Sequence, residues 1–246
     1  MGPPKPARPW GRILIVSSLA LFFVLLLVGT LWVRKGMLAR TMLKSMEMED
    51  AAMMASLANS WFPPTGIVDK SRRTPLHVAA LMQDNELVAT LLDRGGDPNA
   101  RDQYGCTPLH YARKVAVARA LLDGGARIEE SNAAGQSALN HAVSSFEEDK
   151  PPRAGGATVS RALHLRMPSG PVRPWGDAEL VAFLIARGAN INEPDYRMRT
   201  PLRVARLVRV WLRASASADP SAGITPELLG DWDRIIETLV KHGAVE

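Results

Sequence analysis

Thr74-Pro75-Leu76-His77-Val78-Ala79-Ala80 returns as Thr107-Pro108-Leu109-His110-Tyr111-Ala112, with position 107 answering to 74, an offset of 33 residues. A degenerate copy reads Ser137-Ala138-Leu139-Asn140-His141-Ala142, and a fourth reads Thr200-Pro201-Leu202-Arg203-Val204-Ala205. After each copy comes a second apolar helical stretch and a glycine: Leu91 to Gly95, Leu121 to Gly125, Leu184 to Gly188 and Leu239 to Gly243. The chemistry at each position suits a repeated helical pair. Thr74 can cap a helix, and Pro75 fits a first turn that needs no amide donor. Ala79 and Ala80 permit close helix approach, and the glycines suit a left-handed helix stop. Asn99 and Asn192 suit the turn into the next unit.

With its 33-residue period and T-P-L-H-x-A signature, the chain resembles the ankyrin-repeat family over about residues 69–246. The fold expected is all-α: an ankyrin-repeat solenoid of about four helix-turn-helix repeats with short hairpin tips, preceded by one transmembrane helix. Three departures from the period stand out. Repeat 2 lacks about three residues between Lys114 and Leu121. Repeat 3 carries an insertion near 146–175, rich in Pro and Gly and expected as an exposed loop. Repeat 4 carries one near 209–230, of which Ala214 to Gly230 is expected as a polar Ala/Ser/Pro loop in which Thr225-Pro226-Glu227 could begin a short helix, after an amphipathic helix extended to Arg213. Residues 34–68 hold an amphipathic stretch without the motif, expected as a juxtamembrane helix and N-terminal cap.

Residues 1–12 form a basic tail. Ile13 to Val33 then carries no charge. A helix of that length spans about 30 Å, the depth of a bilayer core. The run is longer than a signal-peptide core and offers no small-x-small cleavage site, so 13–33 is expected as an uncleaved anchor. Trp10 and Trp32 would sit at the headgroups, and the short basic tail favours a repeat domain outside the cytoplasm. Ala- and Arg-rich, Lys-poor composition suggests a high-GC genome and hence a bacterial inner membrane.

The chain has 246 residues and a net charge of +5. Three of those charges come from Lys5, Arg8 and Arg12, and the remainder is too balanced to favour a nucleic-acid partner. Cys106 is the one cysteine, which excludes an internal disulfide framework and any Cys-based cluster. No nucleophile elbow, P-loop, metalloprotease or dinucleotide motif occurs. The reading is therefore non-enzymatic, with no catalytic residue, cofactor or metal. Motif histidines are expected to hydrogen-bond within and between repeats.

What remains is binding. The resemblance implies that partners are read by hairpin tips and the inner helix surface. The residues at those positions are Lys70, Arg73, Gln103, Tyr104, Tyr196, Arg197 and Arg199 at the tips, and Leu81, Met82, Lys114 and Leu207 on the inner face. Aromatic, Met and Arg side chains among them are the types enriched at interface cores. The favoured function is a membrane-tethered, non-catalytic module for a protein partner of unknown identity, with protection or inhibition on the periplasmic side as one form. The alternative is an anionic-lipid or membrane-surface regulator. It rests on Arg199, Arg203, Arg206, Arg209 and Arg213, which fall within about 120° of one helical face.

Overall fold

Pro75, Pro108 and Pro201 fix the first turn of three inner segments, Ser137 caps the inner helix of the other motif copy, and the outer helices of the four motif repeats end where a glycine turns left-handed. These signals partition the computed structural model into helical pairs. It describes residues 10–60, 65–143, 176–218 and 224–246, with backbone alone for 10–24, 27 and 218. The helices are α1 (Trp10–Glu47), α2 (Ala51–Ala58), α3 (Pro75–Leu81), α4 (Asn85–Asp93), α5 (Val115–Asp123), α6 (Ala138–Ala142), α7 (Ala178–Ala186), α8 (Pro201–Ala218) and α9 (Pro226–Lys241), with a single 3-10 turn at Pro108–Tyr111. Among the described residues there is no strand. The architecture is all-α.

Five layers stack in chain order: the end of α1 with α2, α3 with α4, the 3-10 turn with α5, α6 with α7, and α8 with α9. The outer helices α2, α4, α5, α7 and α9 follow one another along one side of the stack. Their buried positions form one continuous core, including Met54, Leu91, Leu121, Leu184 and Ile235. Helix-stop glycines sit left-handed as expected, Gly125 at φ 94° among them.

The first layer has no motif yet packs like the others. Met42, Met46 and Met54 are fully buried, and α2 lies against α4. Asp50 caps α2 by accepting from Met53 N at 2.9 Å.

The final layer corrects the expected loop from Ala214 to Gly230. α8 continues to Ala218 and α9 begins at Pro226, so both insertion flanks are helical. Ala214-Ser215-Ala216-Ser217-Ala218 has ample helix propensity to prolong α8. Thr225 accepts from Leu228 N at 3.2 Å and Pro226 occupies the first turn. Leu228, Trp232, Ile235 and Leu239 then recur on one buried stripe. The insertion near 146–175 lies outside the described residues.

A second correction concerns location. Residues 13–33 and 34–47 belong to one continuous helix, α1. Among the described residues no helix is long and apolar enough to cross a membrane, so the single-pass membrane placement is withdrawn.

Candidate partner-binding surface

Four tips are built on one turn. Each opens on an Asx residue whose Oδ1 accepts from the backbone two and four residues on. Asp69 holds Ser71 N and Arg73 N at 2.8 and 2.9 Å. Asp102 holds Tyr104 N and Cys106 N, Asn132 holds Ala134 N and Gln136 N, and Asp195 holds Arg197 N and Arg199 N. Successive tips hydrogen-bond through their backbones: Gln103 N to Ser71 O at 2.9 Å, Ala133 N to Tyr104 O at 2.9 Å, and Tyr196 N to Ala134 O at 3.0 Å. The result is a continuous edge across all four repeats.

This stacking explains one glycine. Gly105 lies at φ 74°, and a Cβ there would stand 2.9 Å from Ala133 N of the next tip. Met198 fills the corresponding place in the last tip at φ 57° and is 73% exposed. A thioether held outward on left-handed backbone is unusual, and sequence reasoning missed it. The available signal was a bulky residue where Gly105 and Gly135 stand in the two preceding copies, a place that Arg72 also holds, at φ 61°, in the first.

The expected tip residues divide. Tyr196 is exposed, with the Arg197 guanidinium 5.1 Å over its ring and Arg197 Nε donating to its hydroxyl at 2.6 Å. Lys70 is exposed and reaches Glu47 at 3.2 Å. Gln103 and Tyr104 are half-buried and take part in the backbone edge. Arg73 and Arg199 turn inward instead: Nε of each donates to its own turn's aspartate, Asp69 or Asp195, at 2.9 Å. They position the tips. Of the inner-face set, Leu81, Met82 and Lys114 line one groove, whereas Leu207 lies apart on α8 and is exposed.

The arginine series does not form one helical stripe, because Arg199 precedes α8 and belongs to the turn. Arg203 and Arg206 occupy the motif positions of His77 and Ala80. Both counterparts are fully buried in repeat 1, yet the two arginines are exposed. They lie on the outer face of the last described layer, which is polar. Arg206 pairs with Glu246 and Arg209 with Asp233. These pairs neutralise part of the charge that lipid headgroups would need.

A polar ladder runs beneath the tips. The backbone N–H of Thr74 donates to His77 Nδ1 at 3.1 Å, so the ring proton sits on Nε2, which donates to Cys106 O at 3.0 Å. The Thr74 hydroxyl meets the same Nδ1 at 2.8 Å, within a capping box formed by Thr74 and His77. His110 repeats the pattern with Thr107 N and with Gln136 O at 2.9 Å. In repeat 3 the shorter Asn140 replaces histidine. Its Nδ2 reaches Glu193 O at 2.7 Å, and Ser137 reverts to capping Asn140 N. Burial pushes the histidines down: His110 to about 4, His141 to about 3, with His77 also lowered. Burial raises the Cys106 thiol to about 12, so it stays protonated and unreactive. Tyr111 donates to Asp102 Oδ2 at 2.6 Å, and burial with that carboxylate raises its phenol.

A family model for ankyrin repeats matches three copies, over residues 42–132 and 76–149. This is an ankyrin-repeat protein. The matched span includes the motif-free first layer, consistent with its packing as a repeat-like unit. Among similar proteins, an ankyrin repeat-containing protein of Schizosaccharomyces pombe is 40% identical over 55 residues, 22% of this chain and 27% of that protein. The mouse homologue of B-cell lymphoma 3 protein is 28% identical over 188 residues, 68% of this chain and 42% of that protein. Mouse protein phosphatase 1 regulatory subunit 12A is 35% identical over 99 residues, 37% of this chain and 10% of that protein. The chain spans less than half the length of each.

Proposed function

We propose that this ankyrin-repeat protein is a non-catalytic module that binds another protein through its hairpin edge and the adjoining inner face. One observation carries the reading. The tip aspartates point inward into their own turns, while Tyr196 and Met198 are exposed and the half-buried Arg197 lies over the Tyr196 ring. An aromatic, an arginine and a methionine on backbone fixed by hydrogen bonds make a pre-organised anchor. Lys70, Gln103 and Tyr104 continue the same edge, with Arg73 and Arg199 holding its shape. The ligand is bound, not transformed. One relative, a regulatory subunit of protein phosphatase 1, supports action by occupancy.

The test is affinity purification of the tagged full chain from its native cells, beside Tyr196→Ala/Arg197→Glu/Met198→Gly. A stoichiometric protein recovered with the wild type and lost with the variant is the expected result. Recovery of no such protein under several extraction conditions would sink the reading, as would one indifferent to the tip.

A further inference from the structure

Two departures from the 33-residue period meet in space. Repeat 2 has lost most of its inner helix, leaving the single 3-10 turn Pro108–Tyr111 between α3 and α6. Repeat 4 has gained length, which brings the first half of α9 alongside the gap. Between them lies a groove of about 510 Å³ at the far end of the inner helices from the tips. Residues of all four repeats line it, among them Leu81, Met82, Lys114, Asp177, Asp231 and Arg234.

The clipped turn is held open by one side chain. Gln83, at φ 59°, donates from Nε2 to Ala80 O at 2.6 Å and to Tyr111 O at 2.8 Å. Its Oε1 accepts from Arg113 N at 2.8 Å and Lys114 N at 3.0 Å. The amide is fully used, so the recess is pre-organised. Its volume lies within the ~300–1,000 Å³ of ligand clefts, enough for a few side chains and not for a folded face.

The lining also has a chemistry. Asp231 is paired with Arg234, and the Asp177 carboxylate accepts from Leu180 N at 2.7 Å. Both acids are thus engaged. Lys114 is exposed and makes no ion pair among the described residues, and Arg113 lines the same rim. Leu81 and Met82 are half-buried apolar surface beside it. We infer that this groove docks a short linear segment of a partner protein, placing an acidic side chain at Lys114 and an apolar one on Leu81 and Met82. The inference rests on the protein-binding reading and deepens its inner-face part, since Leu81, Met82 and Lys114 belong to that face and lie apart from the tips.

Random octapeptides displayed on phage would be selected on the purified full chain and counter-selected on Lys114→Glu/Met82→Glu. Circular dichroism and a thermal melt would establish that the variant folds. The expected peptides join Asp or Glu to Leu, Ile, Met or Phe. By fluorescence anisotropy, Lys114→Glu weakens their binding at least about tenfold, the effect of losing one ion pair worth that ratio. Replacing the peptide's acid by Lys abolishes binding, and the tip variant leaves it unchanged. Four results would overturn the proposal: no enriched peptide, a basic consensus, equal binding to the groove variant, or self-association of the wild type that the groove variant abolishes. The last would make a second copy the occupant. Any of them could coexist with a native partner lost from the tip variant, so the two readings fail separately.

Discussion

Repeats 1 and 2 differ most instructively from the final pair at one motif position. His77 and His110 are buried and each donates to the next repeat's backbone. Arg203, in the same place, is exposed on the outer face of the last described layer. The histidine serves the layer stacked on it, and in the last described layer the same position is surface. The two regions also build stability differently. The early repeats rely on short helices tied by polar bonds across layers. The final pair relies on long helices that bury Leu212, Trp232 and Ile235.

The sharpest way to break this comparison is to remove the final pair's anchor. Trp232 is fully buried, and Trp232→Ala should cost ~3–5 kcal/mol by urea denaturation. A loss below about 1 kcal/mol would mean the long pair is not held by its own core.

Acid should separate the regions next. Unfolded histidines titrate near 6.5, whereas His110 titrates at about 4 and His141 at about 3 in the folded chain. Below pH 6.5 the unfolded state takes up protons that the folded state refuses. Stability is therefore complete above pH 6.5 and falls as the pH drops towards 4, by roughly a few kcal/mol. Hydrogen exchange at pH 4.5 should show repeats 1 to 3 opening before α8 and α9, where His242 is exposed. Uniform opening would contradict the division.

Single substitutions refine it. His110→Ala should cost ~2–3 kcal/mol, because Thr107 N and Gln136 O lose their shared partner in a buried site. Arg203→Ala should stay within about 0.5 kcal/mol, as for other surface changes. Both are read from thermal melts.

The smallest contrast lies at the tips. Gly105→Ala should cost ~1–3 kcal/mol, since its Cβ meets Ala133 N. Met198→Gly should be neutral or stabilise by up to ~1 kcal/mol, because it relieves left-handed backbone under no following tip. Equal losses would show that the tips do not stack as described.

Much of the fold was legible because the motif is local. Pro75, Pro108 and Pro201 mark inner helices or their remnant, and the spacing of the glycines closes the outer ones. The first layer was less legible, since Met42, Met46 and Met54 bury themselves without any signature. The expected loop from Ala214 to Gly230 failed at both ends through weight given to Ser and Pro. The buried spacing of Leu228, Trp232, Ile235 and Leu239 was the better signal. At the tips, Asp69–Arg73 and Asp195–Arg199 share one spacing and one inward clamp, which the sequence displayed twice. The groove was not readable in advance: a deletion in repeat 2 and an extension in repeat 4 acquire meaning only once stacking brings them together.

The central claim is that the hairpin edge is where a protein partner binds. The most direct test places a photo-crosslinking amino acid at Tyr196 in the full chain, in its native cells. A control carries it at Ala89, exposed on the outer helix α4. The account predicts one discrete protein adduct from position 196 and none from position 89. The same adducts from both positions, or none from 196, would contradict it.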